Sequence, residues 1–438
     1  MPKQRCTAQT LPLGTRLKGL FVQVLHAGGN ESALWSLRRN AFGRDAANLS
    51  TEYHEGEPAT AMQTNPLTNA NKLKLGVFHL NGNSGARTIV PERYRLSWDN
   101  VLAAVRHADA AGFEAIVPYS RWASETPDFR HQSAQTFETL TWAAAVGAAT
   151  HYSSIMSTVH VMHMHPVYAA KAMATVDHVT RGRFALNVVC GWVPEDMRIF
   201  GHKDIGNEGR YAYADEWSQI LKLLWAGDKP ASFKGNYLTI DEAWSDPKPL
   251  QQPRPLMMNA GGSDQGKQFV GKHCDIAFIR TESHERMKAQ AAAYRNYVKE
   301  SYGRDIQIWI QGYVVQRNSY EEAERYLQNY AVDNADAEHV EAILKLRNRP
   351  LEGAEAINYR KNLGAGPGGL PIIGSPGDVA ETLAELADAG IDGVLMSWVD
   401  PISGIEQFCR EVMPLLEKKR LRAPVSARNA AEITIGST

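Results

Sequence analysis

The fold is decided by the stretch "SSIMSTVHVMHMHPVYAAKAMATVDHVTRGRFALNVVCGW", residues 153–192. Its first segment, "SSIMSTVHV", and its last, "GRFALNVVCGW", are short and largely apolar or β-branched, a pattern that predicts buried strands. The segment between them, "VYAAKAMATVDHVT", predicts a helix. A strand, a helix and a second strand in succession predict parallel strands joined by a helical crossover.

The same alternation extends in both directions from this stretch, beginning at residue 73. Six more strand-like segments, each followed by a helix, are "LKLGVFHL", "FEAIVPY", "PLMMNAGG", "DIAFIR", "IQIWIQGYVVQR" and "GVLMSWV". Eight strand–helix pairs favour a closed (β/α)8 barrel, with an open doubly wound parallel sheet as the alternative. Residues 201–255 after strand four and residues 333–374 after strand seven are longer than ordinary connections and predict insertions. In a barrel the site lies at the carboxyl ends of the strands.

Composition narrows the class of partner. The 438 residues include 47 Lys and Arg against 48 Asp and Glu, so no charge excess favours a nucleic acid or a membrane surface, and a small molecule is expected. The four cysteines are far apart and form no C-x-x-C pair, which fits a reducing cytoplasm rather than a disulfide scaffold. No apolar run approaches the roughly 18 residues that span a bilayer. We therefore expect a soluble, cytoplasmic protein.

Periodicity also suggests the domain boundaries. Residues 1–71 show no sustained periodicity, and we expect a disordered or loosely docked extension there, either a transit peptide or the result of a start codon placed ahead of Met62. Residues 72–420 are expected to form the barrel, and residues 421–438 a C-terminal tail.

Asn187 is the first candidate for chemistry, because it lies at the centre of an otherwise apolar strand. An amide taken out of water without a partner costs roughly 2 kcal/mol or more. Either the protein itself or a ligand must therefore bind this side chain.

Two further motifs suit a phosphate. In "NAGGSDQGKQ", residues 259–268, two glycines and Ser263 lead into a helix N-terminus, although the same residues also make an ordinary helix cap. In "NEGRYAYADEW", residues 207–217, Arg210 and Tyr211 add a guanidinium and a phenol at the start of a helix. Two such elements in one barrel favour a phosphorylated cofactor.

A pair of histidines suggests a competing hypothesis. His163 and His165 in "HVMHMHP" have the spacing of the H-x-H metal ligands of barrel amidohydrolases. The later predicted strands contain no histidine that could complete such a metal site. The alternative is that His163 and His165 line a pocket or form local hydrogen bonds.

The stretch around Asn187 and the segments that contain Arg210 and Ser263, together with "FKGNYLTIDE", "PKPLQQPRP" and "IIGSPGDVAETLAELADAGIDGVLMSWVDPISGIEQFCREVMPLL", resemble motifs of the bacterial-luciferase-like flavin-dependent monooxygenases over residues 73–418. The chain is most similar to the pyrimidine monooxygenase branch, with dimethylsulfone and alkanesulfonate monooxygenases as relatives. The resemblance implies a (β/α)8 barrel and a homo-oligomer that receives reduced FMN (FMNH2) from a separate NAD(P)H-dependent flavin reductase. With O2 as co-substrate it would oxygenate a small molecule, in the pyrimidine branch through a flavin N5-peroxide.

The resemblance also assigns residues by motif. Those expected at FMN are Ser120, Arg121, Asn187, Asp196, Arg210, Tyr211 and Ser263. Asp196 stands where the relatives have Glu, and Glu195 before it is the alternative. Thr158 and Asn187 are implied as the catalytic pair, offering an O–H and an N–H to a developing oxyanion, and preorganised donors of this kind are typically worth roughly 3 kcal/mol each.

The substrate is less well defined by the sequence. The predicted pocket residues are Asn81, Tyr119, Trp122, His163 and His165. Aromatic and imidazole groups suit a planar heteroaromatic substrate, and also a sulfone or a chlorinated ring. No cluster of Arg or Lys in the sequence marks an anionic substrate, which disfavours a sulfonate. The prediction is an FMNH2-dependent monooxygenase (an oxidoreductase); the alternatives are an F420-dependent oxidoreductase on the same barrel, a metal-dependent amidohydrolase using His163 and His165, and a flavin-binding protein without activity.

Overall fold

The computed structural model describes residues 64–83, 85–191, 193–280, 284–347 and 353–424. Most of the predicted extension and most of the predicted tail lie outside these ranges. The strands are β1 (Lys74–Phe78), β2 (Ala115–Val117), β3 (Ser154–His160), β4 (Phe184–Val189), β5 (Ala231–Lys234), β6 (Thr239–Ala243), β7 (Leu256–Asn259), β8 (Ile276–Ile279), β9 (Gln307–Gln316), β10 (Leu370–Gly374) and β11 (Gly393–Ser397). The α-helices are α1 (Trp98–Ala110), α2 (Thr139–Ala148), α3 (Pro166–Val179), α4 (Pro194–Ile199), α5 (Gly206–Ala226), α6 (Asp264–His273), α7 (His284–Tyr302), α8 (Tyr320–Gln328), α9 (Ala337–Leu346), α10 (Gly353–Ala365), α11 (Pro376–Asp388), α12 (Pro401–Glu411) and α13 (Met413–Lys418).

Eight parallel strands form a closed barrel in the order β1-β2-β3-β4-β7-β8-β9-β11. The ring closes because β11 pairs with β1 on one side and with β9 on the other. The predicted (β/α)8 barrel is therefore confirmed, and closure excludes the open doubly wound sheet. All eight barrel strands fall within the strand segments predicted from the sequence.

The barrel strands are largely apolar because both of their faces are buried. On β4, Ala185 faces a cluster inside the barrel, while Phe184 and Leu186 pack into the layer between strands and helices. A strand covered on both sides has no water-facing positions, so it shows no polar alternation. Asn187 shares the inward face with Ala185, and its register partner on the neighbouring strand β3 is Thr158.

Both predicted insertions are present. The connection from β4 to β7 contains α5 and a hairpin of antiparallel strands, β5 and β6. The connection after β9 contains α8, α9, α10 and β10. Strand β10 lies outside the barrel and pairs with the end of β9, Leu370 opposite Gly312. The glycine-rich segment before residue 374 predicted a loop, but its last residues form this strand.

The N-terminal end of the barrel is covered by residues from both sides of the predicted boundaries. Leu67 is fully buried among the inward-facing residues, and Asn65 Nδ2 donates to the Phe184 carbonyl at 3.2 Å. Arg422 donates to the Gly112 carbonyl at 2.6 Å. The packed unit therefore begins before residue 72 and continues past residue 420. Among the described residues, no helix combines the length and apolarity required to cross a membrane.

Candidate active site

Two cavities with shared walls lie at the carboxyl ends of the barrel strands. The smaller cavity, about 200 Å³, is lined by residues that include Tyr119, Thr158 and His160. The larger cavity, about 640 Å³, is lined by residues that include Arg210 and Gly262. They have five lining residues in common: Val189, Ala260, Phe278, Arg280 and Arg347. This is the end of the barrel at which enzymes of this fold hold their ligands.

Asn187 is bound by the protein through one half of its amide only. Its Nδ2 donates to Thr158 Oγ1 at 3.1 Å. Its Oδ1 is buried and has no hydrogen-bond partner among the described residues. A buried acceptor without a partner costs about 1–3 kcal/mol. The carbonyl oxygen of this amide is therefore positioned to accept a hydrogen bond from a bound molecule.

The Thr158 hydroxyl has a different partner from the one we expected. It donates to the Pro118 carbonyl at 2.5 Å while accepting from Asn187. Strand β2 ends at Val117, so the Pro118 carbonyl lies just beyond the strand ladder, where this hydroxyl reaches it. In this arrangement the Thr158 proton does not point toward the cavity, and the residue orients Asn187.

Arg121 and Asp196 form a buried ion pair behind the loop that follows β2. Arg121 Nη1 lies 3.1 Å from Asp196 Oδ2, and Asp196 Oδ1 accepts from the backbone N–H groups of Trp122 and Ala123 at 3.1 and 2.9 Å. Burial raises the pKa of Asp196, and Arg121 opposes that rise. The carboxylate is fully buried and lines neither cavity formed by the described residues, while Glu195 is exposed. The structure gives Asp196 the role of holding this loop in place.

A second buried network links the loops over the smaller cavity. Arg121 also pairs with Glu125 at 2.8 Å, and Glu125 lies 2.6 Å from Nε2 of His339 on α9. Burial opposes ionisation of Glu125, yet Arg121, His339 and Arg87 together hold the pKa of that carboxyl well below its usual range. The network ties the insertion after β9 to the loops after β1 and β2.

The larger cavity contains the phosphate-competent elements. Arg210 and Tyr211 on α5 line it, and Arg210 Nε is buried without a hydrogen-bond partner among the described residues. Ser263 caps α6, with its Oγ accepting from Gly266 N at 3.2 Å and lying 3.4 Å from Asn207 Nδ2. A cation and a helix N-terminus together favour an anion here.

The predicted substrate residues do not form one pocket. Tyr119 lines the smaller cavity. Asn81 is fully buried and bonds to the backbone of Tyr119 and Phe137, so it supports the loops rather than lining the cavity. Trp122 and His163 lie in a separate cleft beside Phe200, on which His163 stacks at 4.0 Å.

The H-x-H pair does not converge. The 3₁₀ turn Val161–His163 follows β3 and ends the extended backbone that this geometry needs. His165 is exposed and caps α3, its Nδ1 accepting from Val167 N at 3.3 Å. The cluster of metal-ligating side chains that the described residues do form is His131, Asp336 and His339, in another part of the barrel mouth.

The family model for luciferase-like monooxygenases matches residues 73–393. The chain belongs to the luciferase-like monooxygenase family. The predicted family resemblance and enzyme class are therefore confirmed.

Curated members of the luciferase-like family align with most of the chain. An FMNH2-dependent dimethylsulfone monooxygenase of Pseudomonas putida is 29% identical over 356 residues, covering 78% of this chain and 95% of that protein. The pyrimidine monooxygenase RutA of Acinetobacter baylyi is 27% identical over 368 residues, covering 80% of this chain and 96% of that protein. These are two of the three kinds of relative that the motifs suggested.

Solved structures share the fold. A riboflavin lyase (RcaE), with modified FMN and riboflavin, has a TM-score of 0.72 at 20% identity, covering 80% of this chain and 93% of that one. DmoA from Hyphomicrobium sulfonivorans has a TM-score of 0.71 at 20% identity, covering 79% of this chain and 88% of that one. At these identities the structures support the barrel alone.

The predicted site residues of this luciferase-like barrel include Arg121 but not His79 or the four other arginines that line the smaller cavity. His79 directly follows β1 with φ of 75°, lines the smaller cavity, and has a buried Nδ1 without a partner among the described residues. Burial and Arg87 lower the pKa of His79 to about 3, so its imidazole is neutral at neutral pH. Positive φ at a non-glycine residue often marks a functional site. No sequence pattern indicated either feature, because the residues come from distant segments.

Proposed function

We propose that this chain is a two-component flavin-dependent monooxygenase that uses FMNH2 and O2 to oxygenate a small, ring-containing substrate. The observation that carries the proposal is the buried, unpartnered Oδ1 of Asn187. Asn187 is paired in register with Thr158, which lines the smaller cavity, and stands two residues before Val189, which lines both cavities. The family, and the FMNH2 dependence named for relatives, supply the chemical context. A separate NAD(P)H-dependent flavin reductase would supply the reduced cofactor.

The residues present fit FMN at both of its ends. The ring system carries N–H groups, and the Asn187 carbonyl oxygen can accept a hydrogen bond from one of them. At the other end, Arg210, Tyr211 and Gly262 would hold the phosphate. Ser263 lies next to them, 3.4 Å from the amide of Asn207, which lines the same cavity. A Cβ on Gly262 would meet nothing within 4 Å, so the backbone there is open to a close anion. The walls shared by the two cavities allow one molecule to occupy both.

When bound, reduced FMN supplies the electrons that activate O2. The chain contributes orientation and water exclusion. Thr158, held by Pro118, fixes Asn187. Val189 and Phe278 give the shared wall an apolar surface, which limits access of water. Burial also lowers the pKa of His160 to about 3, so this residue adds no positive charge near neutral pH.

The substrate would enter the smaller cavity. Tyr119 and His79 lie side by side there, with ring centroids 4.8 Å apart, and both line the cavity. Such walls suit a planar ring. The buried free thiols of Cys190 and Cys274 fit a reducing cytoplasm, where we propose that the enzyme works as a homo-oligomer.

The test is an anaerobic titration with FMNH2 followed by oxygen, monitored by the flavin absorbance. We expect the wild-type chain to bind FMNH2 and to slow its reoxidation relative to free FMNH2. Thr158→Val should abolish that effect, because it removes the bond that orients Asn187. Thr158→Ser, which keeps a hydroxyl, is the matched control and should retain it.

Three results would contradict the proposal. The first is no binding of FMNH2, and the second is binding of reduced F420 in its place. The third is a hydrolytic activity that depends on added zinc.

A further inference from the structure

The smaller cavity has a strongly cationic lining. Five arginine side chains line it, and Glu125 is the one carboxylate among the described lining residues; the arginines are Arg87, Arg93, Arg121, Arg280 and Arg347. They lie between residues 87 and 347 of the sequence, which is why no charge cluster is visible before folding. The expectation that no arginine cluster marks the substrate pocket is thereby corrected.

The carboxylates near this cavity are already engaged. Glu125 bonds to Arg121 and His339, and the Asp336 carboxylate behind it bonds to His131 at 3.0 Å. The arginines also disfavour one another: burial lowers the pKa of Arg87, Glu125 opposes that fall, and the neighbouring Arg347 and Arg121 add to it. A bound anion would relieve this repulsion.

Arg93 provides the strongest evidence that the smaller cavity binds an anion. It is half-buried, it lines the smaller cavity, and within the described residues it forms no ion pair within 4.0 Å. Its one side-chain hydrogen bond is long, 3.4 Å to the Tyr94 carbonyl. Asp336 acts on Arg93 electrostatically from beyond 4.0 Å without bonding to it. Donors of this guanidinium therefore remain for a carboxylate or a sulfonate, which guanidinium groups bind in a bidentate manner.

Three of the five arginines lie apart from the cavity assigned to the cofactor phosphate, while Arg280 and Arg347 line both cavities. Arg87, Arg93 and Arg121 line the smaller cavity alone, whereas Arg210 and Lys267 line the larger one alone. One barrel end therefore has two separate places for negative charge. A cofactor with a single phosphate terminus accounts for only one of them.

We infer that the substrate carries an anionic group, a carboxylate or a sulfonate, that Arg93 binds in the smaller cavity. This inference rests on the proposed function and names its substrate class. It replaces a neutral ring by a small ring-containing acid, with the ring against Tyr119 and His79.

The experiment compares pairs of nearly equal shape, benzoate with benzamide and methanesulfonate with dimethylsulfone. Binding to the full-length protein is measured by calorimetry, with and without FMNH2 under anaerobic conditions. We expect each anion to bind at least about tenfold more tightly than its neutral partner, as a charged hydrogen-bonded contact provides. Arg93→Gln should remove that preference.

Arg95→Gln is the matched control, because it removes the same charge two residues away, from an exposed side chain that does not line the cavity. It should leave the preference unchanged. Equal binding of anion and neutral partner, no binding of any anion at millimolar concentration, or equal effects of the two variants would each overturn the inference. Binding of FMNH2 in the same samples is a separate readout: if it is intact, the proposed function stands even when the anion inference fails.

Discussion

At the residue scale, Asp196 shows how one carboxylate positions a functional loop without touching the cavities. It neutralises Arg121 and accepts from two backbone N–H groups of the loop after β2. That loop contributes Ser120 and Arg121 to the lining of the smaller cavity. Because the ion pair is buried, removing one partner leaves the other charged and desolvated, which commonly costs about 3–5 kcal/mol.

Asp196→Asn tests this role. The change keeps the shape but removes the charge, and we expect the free energy of unfolding to fall by about 3 kcal/mol because Arg121 loses one of its partners. Glu195→Gln, at an exposed neighbouring position, should change it by less than about 0.5 kcal/mol. Urea unfolding measures both, alongside FMNH2 titration. An Asp196→Asn variant of wild-type stability with weakened FMNH2 binding would instead support a direct contact with the cofactor.

At the element scale, the turn from β7 into α6 uses two adjacent glycines for different reasons. Gly261 packs against the helix: a Cβ there would lie 2.5 Å from Gly266 Cα, and Tyr294 donates to the Gly261 carbonyl at 2.9 Å. Gly262 has open space around it and lines the larger cavity. One glycine allows the helix to approach the strand, and the other leaves room for an anion.

Substituting the two glycines one at a time separates these functions. Gly261→Ala should destabilise the protein by about 1–3 kcal/mol through overpacking. Gly262→Ala should leave thermal stability nearly unchanged and weaken FMN binding, because its methyl group extends into the cavity. The measurements are thermal unfolding and equilibrium FMN titration. Equal effects of the two variants on both quantities would refute the assignment.

The barrel elements were predictable because local patterns determine them. The strands are short, apolar and followed by helices, so they stood out from residue 73 onward. Strand β10 was missed because it adds to the end of β9 outside the repeating order, beside a glycine-rich segment that predicts a loop. The phosphate-competent motifs were visible because each is contiguous in sequence. The pairing of Arg121 with Asp196 and the gathering of five arginines were not, since both depend on how distant loops meet.

At the scale of the whole molecule, the barrel mouth contains buried neutral histidines. Burial lowers the pKa of both His79 and His160 to about 3, with His163 adding to the effect on His160. In the unfolded chain each would titrate near its ordinary value of about 6.5. The unfolded state therefore binds more protons than the folded state between these two values. Their burial costs nothing above about pH 6.5, and it destabilises the fold increasingly as the pH falls toward 3.

The pH dependence of unfolding tests whether the protein loses stability as the pH falls. As the pH falls from 6 to 4, each such histidine should lower the free energy of unfolding by about 1.4 kcal/mol per pH unit. His160→Gln should remove the contribution of one histidine from the slope of the free energy of unfolding against pH. His151→Gln, at an exposed position, should leave that slope unchanged. Urea unfolding at several pH values gives the slopes. Equal slopes for His160→Gln and the wild-type chain would show that His160 is already protonated in the fold.

The two ends of the packed unit meet at the base of the barrel, far from the cavities. The Ala423 N–H donates to Asn71 Oδ1 at 2.9 Å, and the Leu73 N–H donates to the Leu421 carbonyl at 3.2 Å. Chain ends that lie side by side allow circular permutation. The geometry therefore does not require the strand–helix pairs to follow one another in this order along the chain. A linker that joins the two ends of the packed unit, with residues 64–71 kept, would let the barrel be opened at another loop with every contact of the mouth retained.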